Sequence, residues 1–403
     1  MTSLLGVAFI LLVGFALSKS RKNINWRTVL GAFAIQALIG AFVLYSSFGV
    51  VFLNEVTSFV QNIIDYSKAG INFVFGPVGN YSLGFIFAFN VLPVIVFFSS
   101  LISILYHLKI MSAIIGFIGG GLKKLLGTSS PESMSAAANI FVGQTEAPLI
   151  IRPFIPTMTR SELFAIMVGG LASVAGSIMA GYSGLGIELK YLIAASFMAA
   201  PAGLMMAKLI EPETQTPNET LTDVESETET FANVFDAAAS GAASGMKLAV
   251  NVGAMLLAFI ALIAMLNGIL GGLGAWFGVE ELTIELILGY VFQPIAWLIG
   301  VPWNEAQLAG SFIGQKIVVN EFIAYSDFIV YKDSLSESTQ AIVTFALCGF
   351  ANLSSIAILM GGIGAMAPNR RPEIARLGLK AVAAATLANL MSAALAGIFL
   401  SLA

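Results

Sequence analysis

Two acids stand where so apolar a chain has little use for them. Glu146 closes the run Asn139-Ile140-Phe141-Val142-Gly143-Gln144-Thr145-Glu146, with Pro148 two residues on. Glu321 follows Val319-Asn320 in a second apolar stretch. A carboxylate at membrane depth is costly and marks a functional site unless a partner explains it. Lys316 is the nearest candidate partner for Glu321, but a spacing of five does not put the two on one helical face. Gln144 and Thr145 could instead satisfy backbone groups freed by a turn. Asn352, Ser354 and Ser355 interrupt a later apolar run, and an amide at the centre of a span needs a partner that a substrate hydroxyl could supply. Ser173 breaks the corresponding earlier run among small residues.

Composition says what must carry these groups. The 403 residues are 58% hydrophobic and 10% charged, against roughly 25% charged in a soluble domain. The bilayer is the natural solvent. One cysteine, Cys348, and one histidine, His107, exclude an internal disulfide, a Cys-based metal cluster and a multi-His site. No nucleophile–base pair or phosphate-binding glycine loop is present, so no enzyme is expected. No basic cluster interleaved with aromatics points to nucleic acid. Residues 1–18 lack a basic leader and a cleavage motif, and read as a first span.

Charge-free apolar windows predict eight spans near 3–18, 28–50, 82–107, 162–183, 189–209, 248–271, 338–363 and 379–402. Residues 109–126 carry Lys109, Lys123 and Lys124 and suit an interfacial helix. The stretches 129–155 and 297–327 are apolar but interrupted by prolines and polar clusters. If each enters and leaves on one side, and the N-terminus lies outside, 15 of the 19 basic residues fall inside. These stretches are therefore expected to be re-entrant hairpins. Ser129-Ser130-Pro131-Glu132 is a good helix start for the first. Residues 211–230 hold seven acids and no base, a solvated linker between two halves.

The halves resemble each other. Glu146 and Glu321 are each followed at the same distance by Ser-Glu (161–162 and 336–337) opening a span, and this offset superimposes Ser177 on Asn352. Opposed hairpins in two such units make an inverted-topology repeat, a feature of many secondary transporters. The chain divides into 1–107 (spans 1–3), 108–210 (first repeat), 211–246 (acidic linker) and 247–403 (span 6 and second repeat).

"ESMSAAANIFVGQTEAPLIIRPF", "GVPWNEA", "NEFIAYSDF" and "FALCGFANLSSIAIL" closely resemble concentrative nucleoside transporters of the bacterial branch, over nearly the whole chain. The resemblance implies an all-α polytopic membrane protein with eight transmembrane helices, two opposed re-entrant hairpins and an external helix near 280–296. It implies an elevator-type homotrimer in the bacterial inner membrane, both termini outside, importing nucleosides with sodium or, alternatively, protons. By motif, Gln144, Thr145 and Glu146 would face the nucleobase, Glu321, Asn352 and Ser355 the ribose, and Ile178 and Phe350 would pack on the nucleoside. Asn139, Ser173 and the Val142 and Val174 carbonyls would hold the sodium ion. The chemistry suits these roles: carboxylates and amides receive hydroxyl donors, and a hard cation wants neutral oxygen ligands. No Arg is placed to grip a phosphate, so nucleosides are expected over nucleotides.

Overall fold

The computed structural model describes residues 2–80, 82–217, 231–276, 278 and 282–402, and every regular element among them is helical. The acidic run 218–230, the centre of the expected linker, lies outside the described residues. The chain opens with α1 (Thr2–Ala16), α2 (Trp26–Leu44), α3 (Ser47–Phe75), α4 (Phe87–Asn90) and α5 (Leu92–His107). Asn25 caps α2 by accepting from the Arg27 and Thr28 amides. Asn90 serves the break between α4 and α5. It accepts from the Ile86 amide (2.7 Å) and donates to the Gly79 carbonyl (3.1 Å).

Next come α6 (Ile110–Leu126) and α7 (Ser130–Ala138). The expected start of α7 is realised as a capping box between Ser129 and Glu132, with Pro131 in the first turn. The chain leaves the helix after Ala138, runs irregularly to Glu146, and continues as a 3-10 helix over Ala147–Thr157. Pro153 and Pro156 lack the amide donors an α-helix would need there. A second capping box, Thr159 with Glu162, starts α8 (Arg160–Ala172), followed by α9 (Gly176–Gly184) and α10 (Leu189–Ile210).

The second half holds α11 (Val234–Trp276), α12 (Ile284–Leu298), α13 (Trp303–Val318), α14 (Glu321–Tyr331), α15 (Glu337–Leu347), α16 (Ser355–Met366) and α17 (Arg371–Leu402). The α12–α13 pair bends by 116°. Asn320 caps α14 through the Ile323 amide, which makes Glu321 the first residue of that helix.

Two helices and one residue depart from the expectations. The 29-residue α3 carries Glu55, Asp65 and Lys68, which depress its hydropathy, while Phe48, Phe52, Phe59 and Phe73 remain exposed along it. Hydropathy windows pass over such an amphipathic helix because they average its two faces. The 43-residue α11 begins inside the stretch read as linker. Glu211, the first residue of that stretch, is buried and accepts from Arg160 (2.8 Å), Lys380 (2.9 Å) and Lys19 (3.1 Å). Burial alone would raise its pKa, but bonds to Lys380, Arg160 and Lys19 hold it below the usual carboxylate range. Beside it, Lys208 of α10 pairs with Glu132 at the base of α7. These contacts bind the ends of α1, α7, α8, α10 and α17 into one body.

Among the described residues, six helices are long and apolar enough to cross a membrane. The 15-residue α1 is shorter, and the expected span 338–363 is split into α15 and α16. The α8–α9 and α10 windows are each 94% buried, whereas that of α11 is 17%. The former are the core of the molecule, and α11 presents most of its surface to its surroundings.

Candidate functional site

Two helix breaks, the irregular turn after α7 and the turn before α14 meet at one place. The first turn packs on α8 so closely that a Cβ on Gly170 would lie 2.9 Å from the Gln144 Cβ, so a side chain there would displace Gln144. The Gly176 amide, just past the α8–α9 break, donates to the Phe141 carbonyl (2.9 Å). In the second half the Leu353 amide, in the α15–α16 break, donates to the Ile317 carbonyl (3.1 Å). The breaks join each other through the Phe350 amide and the Ser173 carbonyl (3.2 Å). Backbone freed from helical bonding is thus satisfied by the opposite element, which is how irregular chain survives in an apolar interior.

A cavity of about 130 Å³ opens at this junction. Gln144, Thr145, Glu146, Ile178, Glu321, Phe350, Asn352 and Ser355, the eight residues singled out for substrate, all line it. Glu321 is 4% exposed and held from two sides. Tyr182 Oη donates to Oε1 (3.0 Å) and Asn352 Nδ2 donates to Oε2 (3.0 Å). Asn352 Oδ1 accepts from the Ser355 amide (2.9 Å) and Ser354 Oγ (2.7 Å), which fixes the orientation of the side-chain amide. Across the cavity Gln144 Nε2 reaches Ser355 Oγ (3.4 Å), while Gln144 Oε1 is buried without a partner. Glu146 is exposed to the cavity. Polar groups line the cavity from both halves, with Ile178 and Phe350 supplying apolar surface.

The residues expected to hold a cation lie behind the first turn. Asn139 is 2% exposed; its Nδ2 donates to the Ser135 carbonyl (2.9 Å), and its Oδ1 has no partner. A buried acceptor left in this state calls for a ligand. Ser173 is buried at the α8–α9 break and donates to the Gly169 carbonyl (3.0 Å), leaving its oxygen able to accept. Val142 and Val174 are buried beside them. Neutral oxygens on turn and break fit a hard monovalent cation.

Some participants escaped sequence reasoning. Tyr182 is fully buried and packs edge-on against Phe322 and at a tilt against Tyr325, with ring centroids 4.7 Å away in both cases. A phenol in a small-residue half-helix signals a buried partner, but not which one. Leu248, Val252, Met255 and Leu256 of α11 also line the cavity. Their i, i+4, i+7, i+8 spacing is a visible helical stripe, yet the surface it meets is not local information. Ser135 Oγ is a further buried oxygen without a partner. Lys316 donates to the Ala346 carbonyl (2.8 Å) and Asn389 Oδ1 (2.7 Å), and among the described residues no ion pair joins it to Glu321. A larger groove of about 390 Å³ between α1, α12 and α17 is lined almost wholly by apolar side chains and offers nothing to orient a polar solute.

This arrangement, polar groups from two chain turns and two helix breaks around a cavity in an apolar helical body, suits a membrane protein that handles a small polar solute. Three family models match the chain: "Na+ dependent nucleoside transporter N-terminus" over residues 5–78, "Nucleoside recognition" over 88–188 and "Na+ dependent nucleoside transporter C-terminus" over 191–397. The chain is 49% identical to the nucleoside permease NupC of Helicobacter pylori, covering 99% of this chain and 98% of that one. It is 58% identical to an uncharacterized transporter of Haemophilus influenzae, covering 100% and 98%. CNTnw in an inward-facing substrate-bound state superimposes with a TM-score of 0.96 at 56% identity, covering 100% of this chain and 98% of that one. A double variant of CNTnw in an outward-facing state gives a TM-score of 0.97 at the same identity, covering 100% and 99%. The chain belongs to the concentrative nucleoside transporter family, whose members named here are transporters and permeases rather than enzymes.

Proposed function

We propose that this chain imports nucleosides across the bacterial inner membrane by sodium symport. The observation that carries the reading is the cavity itself, where Glu321 and Asn352 from one half face Gln144, Thr145 and Glu146 from the other. A nucleoside has two polar ends, a base edge with donors and acceptors and a ribose with vicinal hydroxyls. Glu321, Asn352 and Ser355 accept from and donate to the ribose; Gln144, Thr145 and Glu146 read the base; Ile178 and Phe350 pack on its faces. Hydrogen bonds to a charged group contribute about 1.5–3 kcal/mol each, so the Glu321 side anchors the substrate.

Sodium travels as cargo, bound by Asn139, Ser173 and the Val142 and Val174 carbonyls. The orphaned Asn139 Oδ1 and the neutral donor set favour it over a proton. Because the first turn carries both Asn139 and Gln144, ordering the turn for the ion also orders the base side. Coupling requires this mutual preference. The proton-coupled alternative would use Glu146, which faces the cavity, or Glu321. In this reading α1 and the broken α15–α16 pair complete eight crossings, residues 129–155 and 297–327 are opposed re-entrant hairpins, and α12 is the external helix. Both termini lie outside, and three copies form a trimer whose transport domains move as elevators. Inward- and outward-facing structures of related chains support alternating access.

The test is uptake of labelled uridine and adenosine into proteoliposomes, with and without an imposed sodium gradient at fixed pH. Sodium-driven accumulation is expected. Accumulation driven by a pH gradient and indifferent to sodium would replace the coupling ion, and no accumulation of either nucleoside would reject the substrate class.

A further inference from the structure

The two hairpin-and-break units are built alike but treat positive charge differently. In each unit a carbonyl at or just before the turn accepts from the following break, Phe141 from the Gly176 amide and Ile317, in the last turn of α13, from the Leu353 amide. In each, a helix also ends at that break, α8 at Ala172 and α15 at Leu347. Helix C-termini carry unpaired carbonyls and partial negative charge, which favours a cation there. The first unit meets that demand with oxygen ligands and no fixed cation. The offset that superimposes Glu146 on Glu321 is 175 residues, and it carries Asn139 to Gly314 and Ser173 to Cys348. On that offset the second unit has Gly314 at one ligand position, where the neighbouring Gln315 side-chain amide is engaged by Ser311 and Asp327, and a thiol, a poor partner for a hard ion, at the other.

What the second unit has is Lys316, 1% exposed, two residues past Gly314. Its ammonium donates to the Ala346 carbonyl in the last turn of α15 (2.8 Å) and to Asn389 Oδ1 (2.7 Å). Asn389 in turn donates to the Cys348 carbonyl (3.0 Å) and, in the other unit, to the Ala172 carbonyl (2.7 Å). The backbone runs so close that a Cβ on Gly349 would sit 2.5 Å from Asn389 Oδ1.

We propose that the Lys316 ammonium is a tethered cation: it fills in the second unit the role that the exchangeable ion plays in the first, so that one half of the transporter is permanently loaded and only the other binds and releases sodium. The proposal rests on Asn139 and Ser173 being cation ligands. It also gives Asn389 a role, as the link through which the fixed charge braces the α8 terminus next to Ser173. A buried lysine that merely plugged a gap would need its length but not its charge.

That difference makes the test. The full-length protein is purified in detergent and its melting followed in sodium, methylammonium or choline chloride. Lys316→Ala, which leaves room for a free cation, is expected to melt about 5 °C or more below the parent in choline. It should recover selectively in methylammonium or sodium, as binding to the folded state requires. The sodium dependence of its uridine binding should steepen, from a Hill coefficient of about one toward about two. Lys316→Arg should stay near the parent, and Lys316→Met, long but neutral, should be destabilised without rescue. Parent-like melting and sodium dependence in Lys316→Met overturns the proposal, as does a Lys316→Ala protein that no small cation restores. If the alanine variant does not assemble, recovery of Lys316→Arg but not Lys316→Met from membranes supports it, and equal recovery of both overturns it. Parent uridine binding that ignores sodium would defeat the coupling reading alone, because the melting comparison reads Lys316 directly.

Discussion

The two sides of the cavity differ in how complete they are. On the second-half side, Glu321 is held by Tyr182 and Asn352, and Asn352 is fixed by Ser354 and Ser355. On the first-half side, Gln144 Oε1, Asn139 Oδ1 and Ser135 Oγ are buried without partners. One side is organised before any ligand arrives. The other has polar atoms for which the chain itself supplies no partner, each of which would cost about 1–3 kcal/mol if left unpaired. A preformed anchor beside an under-satisfied turn suits a coupled transporter, because the turn gains most when both ion and base are present. In the proposed mechanism the anchor supplies affinity and the turn supplies linkage.

The comparison can be broken by substitution. Glu321→Gln removes the charge from the preorganised side and should weaken uridine binding by about 100-fold, ~2.7 kcal/mol. Unchanged affinity by calorimetry would remove Glu321 from the ribose. Asn139→Ala should raise the sodium concentration needed for half-maximal uridine binding by about tenfold, while affinity at saturating sodium stays within about threefold of the parent. If both fall together, the two sides are not separable. Gln144→Ala should cost about fivefold, ~1 kcal/mol, and change the ratio between uridine and adenosine; a uniform loss across bases would place Gln144 outside base reading. Tyr182→Phe deletes one bond to Glu321 and should cost about threefold, more for uridine than for an analogue lacking ribose hydroxyls.

A smaller effect marks the boundary of the compared region. Glu211, at the expected cytoplasmic ends of the helices, has its pKa lowered because its three cations outweigh burial. A group lowered in the folded state stabilises above its unfolded pKa and loses that contribution as pH falls through the folded value. Melting should therefore fall with acidification below the usual carboxylate range, and Glu211→Gln should flatten that dependence while leaving nucleoside selectivity unchanged. A selectivity change would connect this cluster to the cavity.

Much of the site was legible locally. Intramembrane acids, amides beside them and broken apolar runs are expensive in a bilayer, so their presence in sequence already points to a site. The capping signal at Ser129–Glu132 acts within one turn and was readable without tertiary context. The helix α3 was not, because its charges mask a face that is apolar only in three dimensions. The destination of Lys316 was not readable either. Spacing argued against Glu321 as its partner, but Asn389 lies 73 residues away and reaches it only because α17 packs against α15.

The amino-acid sequence by itself pointed to the bilayer and the helical class and singled out Glu146, Glu321 and Asn352, because burying a polar group costs free energy at each residue; Ile178 and Phe350 entered only through the family resemblance. Only the tertiary structure decided which groups are satisfied and which are left waiting. That depends on the close packing of distant helices, where a tyrosine from α9 meets a glutamate of α14 and an asparagine of α17 serves both breaks at once.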